Sequence, residues 1–150
     1  MSPRMVQMSG CFAVLLLGML GCSREQPPLY PVSGKVTMNG AAPVGGSVIL
    51  HPEGQTRLSL SKPTAVIGND GSFTVRTNYQ DGAPVGRYKV TFFWAGDPRV
   101  PKSVPPQDER SLNQNQIPHP YSSVADTPFS IEVAPEANVL PLFQLRSDLK

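Results

Sequence analysis

Apolar residues recur at every second position in several short stretches, and nowhere at a sustained helical spacing. Val32, Gly34, Val36 and Met38 alternate with Ser33, Lys35 and Thr37, which predicts a first strand over 30–38. It runs into Asn39-Gly40, a dipeptide suited to a two-residue turn with positive φ. A second strand is expected over 47–52, followed by a polar loop over 54–62. Residues 64–68 and 72–77, joined by Asn69-Asp70-Gly71, read as a hairpin with Phe73 and Val75 inward and Thr74 and Arg76 outward. The strongest strand is 87–94, where Tyr88, Val90, Phe92 and Trp94 form one face and Lys89, Thr91 and Phe93 the other. Residues 129–133 alternate cleanly, and 139–145 close the domain, with Pro141 marking an edge or a bulge. Seven short strands in about 115 residues predict an all-β fold, a seven-stranded antiparallel Greek-key β-sandwich.

Composition narrows this picture. A chain of 150 residues has room for one domain. Its 17 prolines and 13 glycines make up a fifth of the residues, short of the share expected of a low-complexity chain. The prolines are unevenly spread: seven fall between Pro98 and Pro128, so residues 95–128 read as one long excursion from the sandwich. A formal charge of +2 gives no electrostatic footprint for nucleic acid, and no nucleic-acid partner is expected.

The N-terminus has a separate character. Arg4 precedes a nine-residue apolar run over 12–20, the length of a signal-peptide core and far short of the roughly 20 residues that span a bilayer. The run ends in Met19-Leu20-Gly21-Cys22-Ser23, which resembles the lipobox of bacterial lipoproteins, with Met19 where leucine is usual. The alternative is an ordinary secretory signal that contains a cysteine. The resemblance implies cleavage after residue 21, a diacylglyceryl group on Cys22 and a lipidated tether over 22–29. Two or more acyl chains hold a protein stably at a membrane where one does not. Cys11 would leave with the signal, and the modified Cys22 would need no disulfide partner. The expected location is the cell envelope; Ser23 rather than aspartate implies the outer membrane by the sorting rule of such lipoproteins. The expected domain then covers 30–146.

Three strings carry a further resemblance. Residues 32–48 pass from strand one through Asn39-Gly40 and Pro43 into strand two. Asn69-Asp70-Gly71-Ser72-Phe73 forms an aspartate-glycine-x-phenylalanine turn, and Pro84-Val85-Gly86-Arg87-Tyr88 leads into the longest strand. With Ile117-Pro118, Tyr121, Thr127-Pro128 and the stretch after Asn138, these motifs resemble transthyretin-like and carboxypeptidase-regulatory-like domains of small bacterial lipoproteins. The likeness covers about 32–145. It implies a prealbumin-like sandwich, an envelope protein or glycan as partner, and for one branch a hydrolase of 5-hydroxyisourate. That branch ends in tyrosine-arginine-glycine-serine, a tail this chain lacks.

Candidate chemistry is sparse. His51 and His119 are the only histidines, and no metal-ligand spacing surrounds either, so surface or loop roles are expected and no cofactor or metal. As the only acid–base candidates, they would have to serve a divergent transthyretin-fold hydrolase. Asp70 and Asp81 fit turns better than a calcium shell. Lys35 and Asn138 occupy the ends where related envelope domains form isopeptide bonds, but Lys35 should face solvent. Tyr79, Trp94 and Tyr121 could form an aromatic platform for sugar or peptide, best sought where 79–84 and the proline-rich excursion meet. The expectation is therefore a non-enzymatic, lipid-anchored binding module, with a carbohydrate-binding accessory domain and the hydrolase as alternatives.

Overall fold

Turn chemistry and alternation divide the chain into short strands arranged around one apolar core. The computed structural model describes residues 26–54, 62–99 and 114–147. The predicted signal peptide, Cys22 and the first half of the tether lie outside the described residues, as do most of the polar loop and the middle of the excursion. The elements are β1 (Leu29–Tyr30), β2 (Val32–Met38), β3 (Ser47–Pro52), β4 (Thr64–Val66), β5 (Ser72–Thr74), β6 (Arg76–Thr77) and β7 (Gln80–Asp81). There follow β8 (Ala83–Pro84), β9 (Gly86–Phe93), the single-turn helix α1 (His119–Ser122), β10 (Ser130–Val133), β11 (Asn138–Val139) and β12 (Phe143–Leu145).

Two principal sheets share the core. The larger is antiparallel with order β10-β9-β3-β4-β6-β7. In the smaller, β2 lies between antiparallel β5 and the β11–β12 stretch, while β1 pairs with β8 apart from both. Val48, Leu50, Val90 and Phe92 from the larger sheet and Val36, Phe73 and Leu145 from the smaller are buried in one cluster. Aromatic rings link the layers: Phe143 lies 5.4 Å from Phe92 and 5.0 Å from Phe129, both edge-on, and 6.2 Å from Phe73, stacked. The result is a nearly all-β, sandwich-like domain.

Three sequence expectations are corrected. First, the closing strand is not antiparallel: β11 and β12 both run parallel to β2. Asn138 pairs with Val32 but Phe143 with Val36, an offset growing from 106 to 107, so one extra residue is accommodated around Pro141. That is the bulge the proline announced. Second, the Asn69-Asp70-Gly71 turn closes, with the Gly68 amide donating to the Ser72 carbonyl at 2.8 Å, but its arms join different sheets. β5 leaves for β2, where Gly34 has no side chain and the Phe73 ring fills the space; a Cβ there would lie 2.6 Å from Phe73 Cζ. Two residues later β6 returns to β4 through Thr64–Arg76. Third, there are twelve strands among the described residues, not seven. Each stretch predicted to be extended contains strand; Pro31, the sheet exchange at Val75 and the bulge around Pro141 split three of them, and β7 and β8 are added.

The excursion also holds a helical turn despite its prolines. Pro118 is the N-cap of α1 and Pro120 lies in its first turn, where a missing amide hydrogen costs little. Tyr121 on this turn stacks on Phe129 at 5.6 Å, fastening the excursion to the core. Thr127 Oγ1 donates to the Val90 carbonyl at 2.6 Å beside it.

A candidate binding groove on the outer sheet face

Residues paired directly across antiparallel strands point to the same face, so register alone places the outer face of the larger sheet. Ser47 pairs with Val66, Ile49 with Thr64, and Thr64 with Arg76, while Thr91 and Lys89 stand opposite Ile49 and His51. This face carries apolar side chains at positions that solvent-facing strands usually give to polar ones: Val66 is 70% exposed. A groove of about 890 Å³ crosses it, floored by Ile49, Thr64 and Val66 and flanked by Lys62, Arg76 and Tyr79. That volume falls in the range of small-molecule sites, although the groove is open.

The β6–β7 hairpin builds one wall. Asn78 and Tyr79 form its two-residue turn with φ of 51° and 67°, both left-handed. A type I′ turn requires this conformation, and a bulky residue adopts it rarely. Tyr79 is 92% exposed and gains nothing from the core. The same turn directs the Tyr79 carbonyl to Arg76 Nη2, which donates to it at 2.8 Å. Arg76 Nε contacts Asp81 Oδ1 at 3.0 Å from the opposite strand. The backbone of an exposed tyrosine therefore holds a guanidinium whose orientation is fixed twice.

The other sequence candidates lie elsewhere. Trp94 follows β9 at the end of the sheet opposite the 78–79 turn; its Nε1 donates to the Val44 carbonyl at 3.0 Å, and it packs against the core. Tyr121 is 4% exposed beneath the excursion, so its ring faces protein rather than a ligand. The three aromatics are not brought together. Nor does the 79–84 segment meet the described parts of the excursion, because the hairpin edges the larger sheet at β7 whereas α1 packs on β9. Sequence reasoning missed Ile49, Lys62 and Val66 as groove residues. The legible signal was apolar residues at outward positions of β3 and β4.

The titratable residues have local partners. His51 Nε2 and Thr91 Oγ1 are hydrogen-bonded at 2.8 Å on the outer face, and Thr91 is buried although predicted to face outward. Partial burial, then the nearby Lys62 ammonium, lower the His51 pKa and favour the neutral imidazole. His119 is exposed, with Nδ1 3.8 Å from Asp126. Asp70 accepts hydrogen bonds from the Ser72 hydroxyl at 2.6 Å and the Ser72 amide at 3.1 Å; these bonds lower its pKa and account for it as a turn residue. Lys35 is exposed near Asp70, whereas the Asn138 amide donates to the Ala134 and Glu136 carbonyls, so the two do not approach as an isopeptide pair. Among the described residues there is no cluster of three potential metal ligands. A second groove, about 550 Å³, opens over Ile131, Leu140 and Leu142; its lining includes Glu132 and Glu136 and no cation.

No family model matches the chain, and no curated protein matches it. Among solved structures it is similar to a DUF3823 family protein from Parabacteroides merdae, at 15% identity and a TM-score of 0.40. The match covers 81% of this chain and 46% of that one, so the chain spans less than half of that protein's length.

Proposed function

We propose that this chain is a lipid-anchored envelope protein whose domain binds a partner through the outer-face groove and does no chemistry on it. The observation that carries the binding reading is Tyr79: an exposed ring held in a disfavoured backbone conformation beside an oriented cation over an apolar floor. Backbone cost concentrated at such a place is a pointer to function rather than to folding. The non-enzymatic reading is supported by the two histidines, which sit on separate elements with local partners of their own. The anchor rests on the lipobox resemblance at Cys22. The finer fold reading, a Greek-key sandwich of the transthyretin-like kind, rests on the three motif strings, whose turns fall at 39–40, 69–71 and ahead of β9.

Two experiments test these halves separately. Labelling with a palmitate analogue should mark the wild type and not Cys22→Ala; equal labelling defeats the anchor. A photo-crosslinker at Val66, on the groove floor, should capture an envelope component that one at Val139 does not. Both positions are well exposed, at 70% and 83%, so equal capture defeats the groove.

A further inference from the structure

Building on the groove as a binding site, we infer that its ligand is an acidic saccharide, a glycan whose sugar rings carry carboxylates. Three features of the site converge on that class. The Tyr79 ring is flat, almost wholly exposed and pinned at its backbone, which suits the apolar face of a pyranose ring. Arg76 is braced through Nε by Asp81 and through Nη2 by the Tyr79 carbonyl, which fixes the plane of its guanidinium. A planar guanidinium held this way is suited to a carboxylate more than to a hydroxyl. Lys62 and Thr64 line one end of the groove and Ser47 the other, adding a second cation and two hydroxyls to meet sugar oxygens. Asp81 is the carboxylate in contact with this set, and it is already engaged by Arg76.

The ligand must therefore present both an apolar ring face and an anion. A neutral glycan supplies the first without the second. An anionic lipid surface supplies the second without the first.

The test uses the full-length acylated protein in neutral detergent, titrated with tetragalacturonate and with its methyl ester, which keeps the ring faces and removes the charges. The acid should bind, and the ester at least tenfold more weakly. Arg76→Gln should abolish the difference between the two probes. Tyr79→Gly should weaken both at least tenfold; it replaces a left-handed tyrosine with the residue that turn prefers, so loss of binding is not loss of fold. Trp94→Phe, at the far end of the sheet, should change neither. Equal binding of acid and ester, no binding of either, or affinities insensitive to Tyr79→Gly would overturn the assignment. So would binding to phosphatidylglycerol vesicles that needs Arg76 but not Tyr79. Crosslinking confined to Val66 would still uphold the groove in each of these cases, so the two readings can fail independently.

Discussion

Gly71 and Gly40 form a matched pair that isolates what a turn pays for lying against a strand. Their φ angles are nearly equal, +83° and +85°, so an alanine at either meets the same left-handed backbone. That conformation costs an L residue roughly 1–2 kcal/mol. The stiffer unfolded chain returns about 0.4–1 kcal/mol, leaving a common loss near 1 kcal/mol. The surroundings differ. A Cβ on Gly40 has nothing within 4 Å, whereas one on Gly71 would lie 2.4 Å from the Val36 carbonyl oxygen. The turn cannot simply lift away, because the Val36 amide donates to the Gly71 carbonyl at 2.9 Å and β12 flanks the same residue of β2. Overpacking of this kind costs about 1–3 kcal/mol. Lengthening the hydrogen bond adds up to about 1 kcal/mol. Gly71→Ala should thus lose about 3–4 kcal/mol against about 1 for Gly40→Ala, a gap of roughly 10 °C in Tm for a domain this size. Urea unfolding of both variants with unchanged m-values gives the comparison. Equal losses would refute the reasoning, since backbone conformation alone would then govern both sites and the turn would be free to move off β2.

Two further outcomes follow from the core and the outer face. Phe143 touches rings from both layers, so Phe143→Ala should cost about 3–5 kcal/mol and Phe143→Leu less than half of that; equal losses in urea melts would mean that filling the volume restores nothing and the ring contacts themselves carry the stability. His51 has a pKa below its ordinary 6.5 because burial and Lys62 disfavour the imidazolium. The unfolded chain then binds the proton more readily than the folded one, so stability should fall as pH drops through 6.5 and on toward the lowered value. His51→Gln should flatten that slope between pH 7 and 5; an unchanged slope would assign it to other groups.

Alternation in 47–52 and 86–93 was readable because each strand has one wet and one buried face, and Val48, Leu50, Val90 and Phe92 fell inward as the period demanded. Pairing was not readable. Asn69-Asp70-Gly71 specifies a turn, but whether the next three residues stay with β4 or cross to β2 depends on the space beside Gly34, some forty residues away in sequence. The parallel closure escaped for the same reason: alternation reports faces and says nothing of direction. Thr91 broke its pattern because His51, on a neighbouring strand, covers and hydrogen-bonds it. The groove was half legible. Tyr79 was a candidate, but it was grouped with Trp94 and Tyr121 because aromatic identity is visible in a sequence and burial by distant segments is not.

The chain solves the same turn problem twice. Asn39-Gly40 and Asn78-Tyr79 both begin with asparagine at φ 51°, and their second residues sit at 85° and 67°. The first turn ends in the residue that left-handed geometry favours; the second ends in one it disfavours. Nothing in the core recovers that cost, since Tyr79 is 92% exposed. What tyrosine adds at this position is a ring over the groove, with its carbonyl anchoring Arg76. Any residue's carbonyl could accept that hydrogen bond, glycine's included, so only the ring distinguishes tyrosine from the residue the turn prefers. Stability alone would place glycine at 79, and the physical case for a binding function rests on that difference.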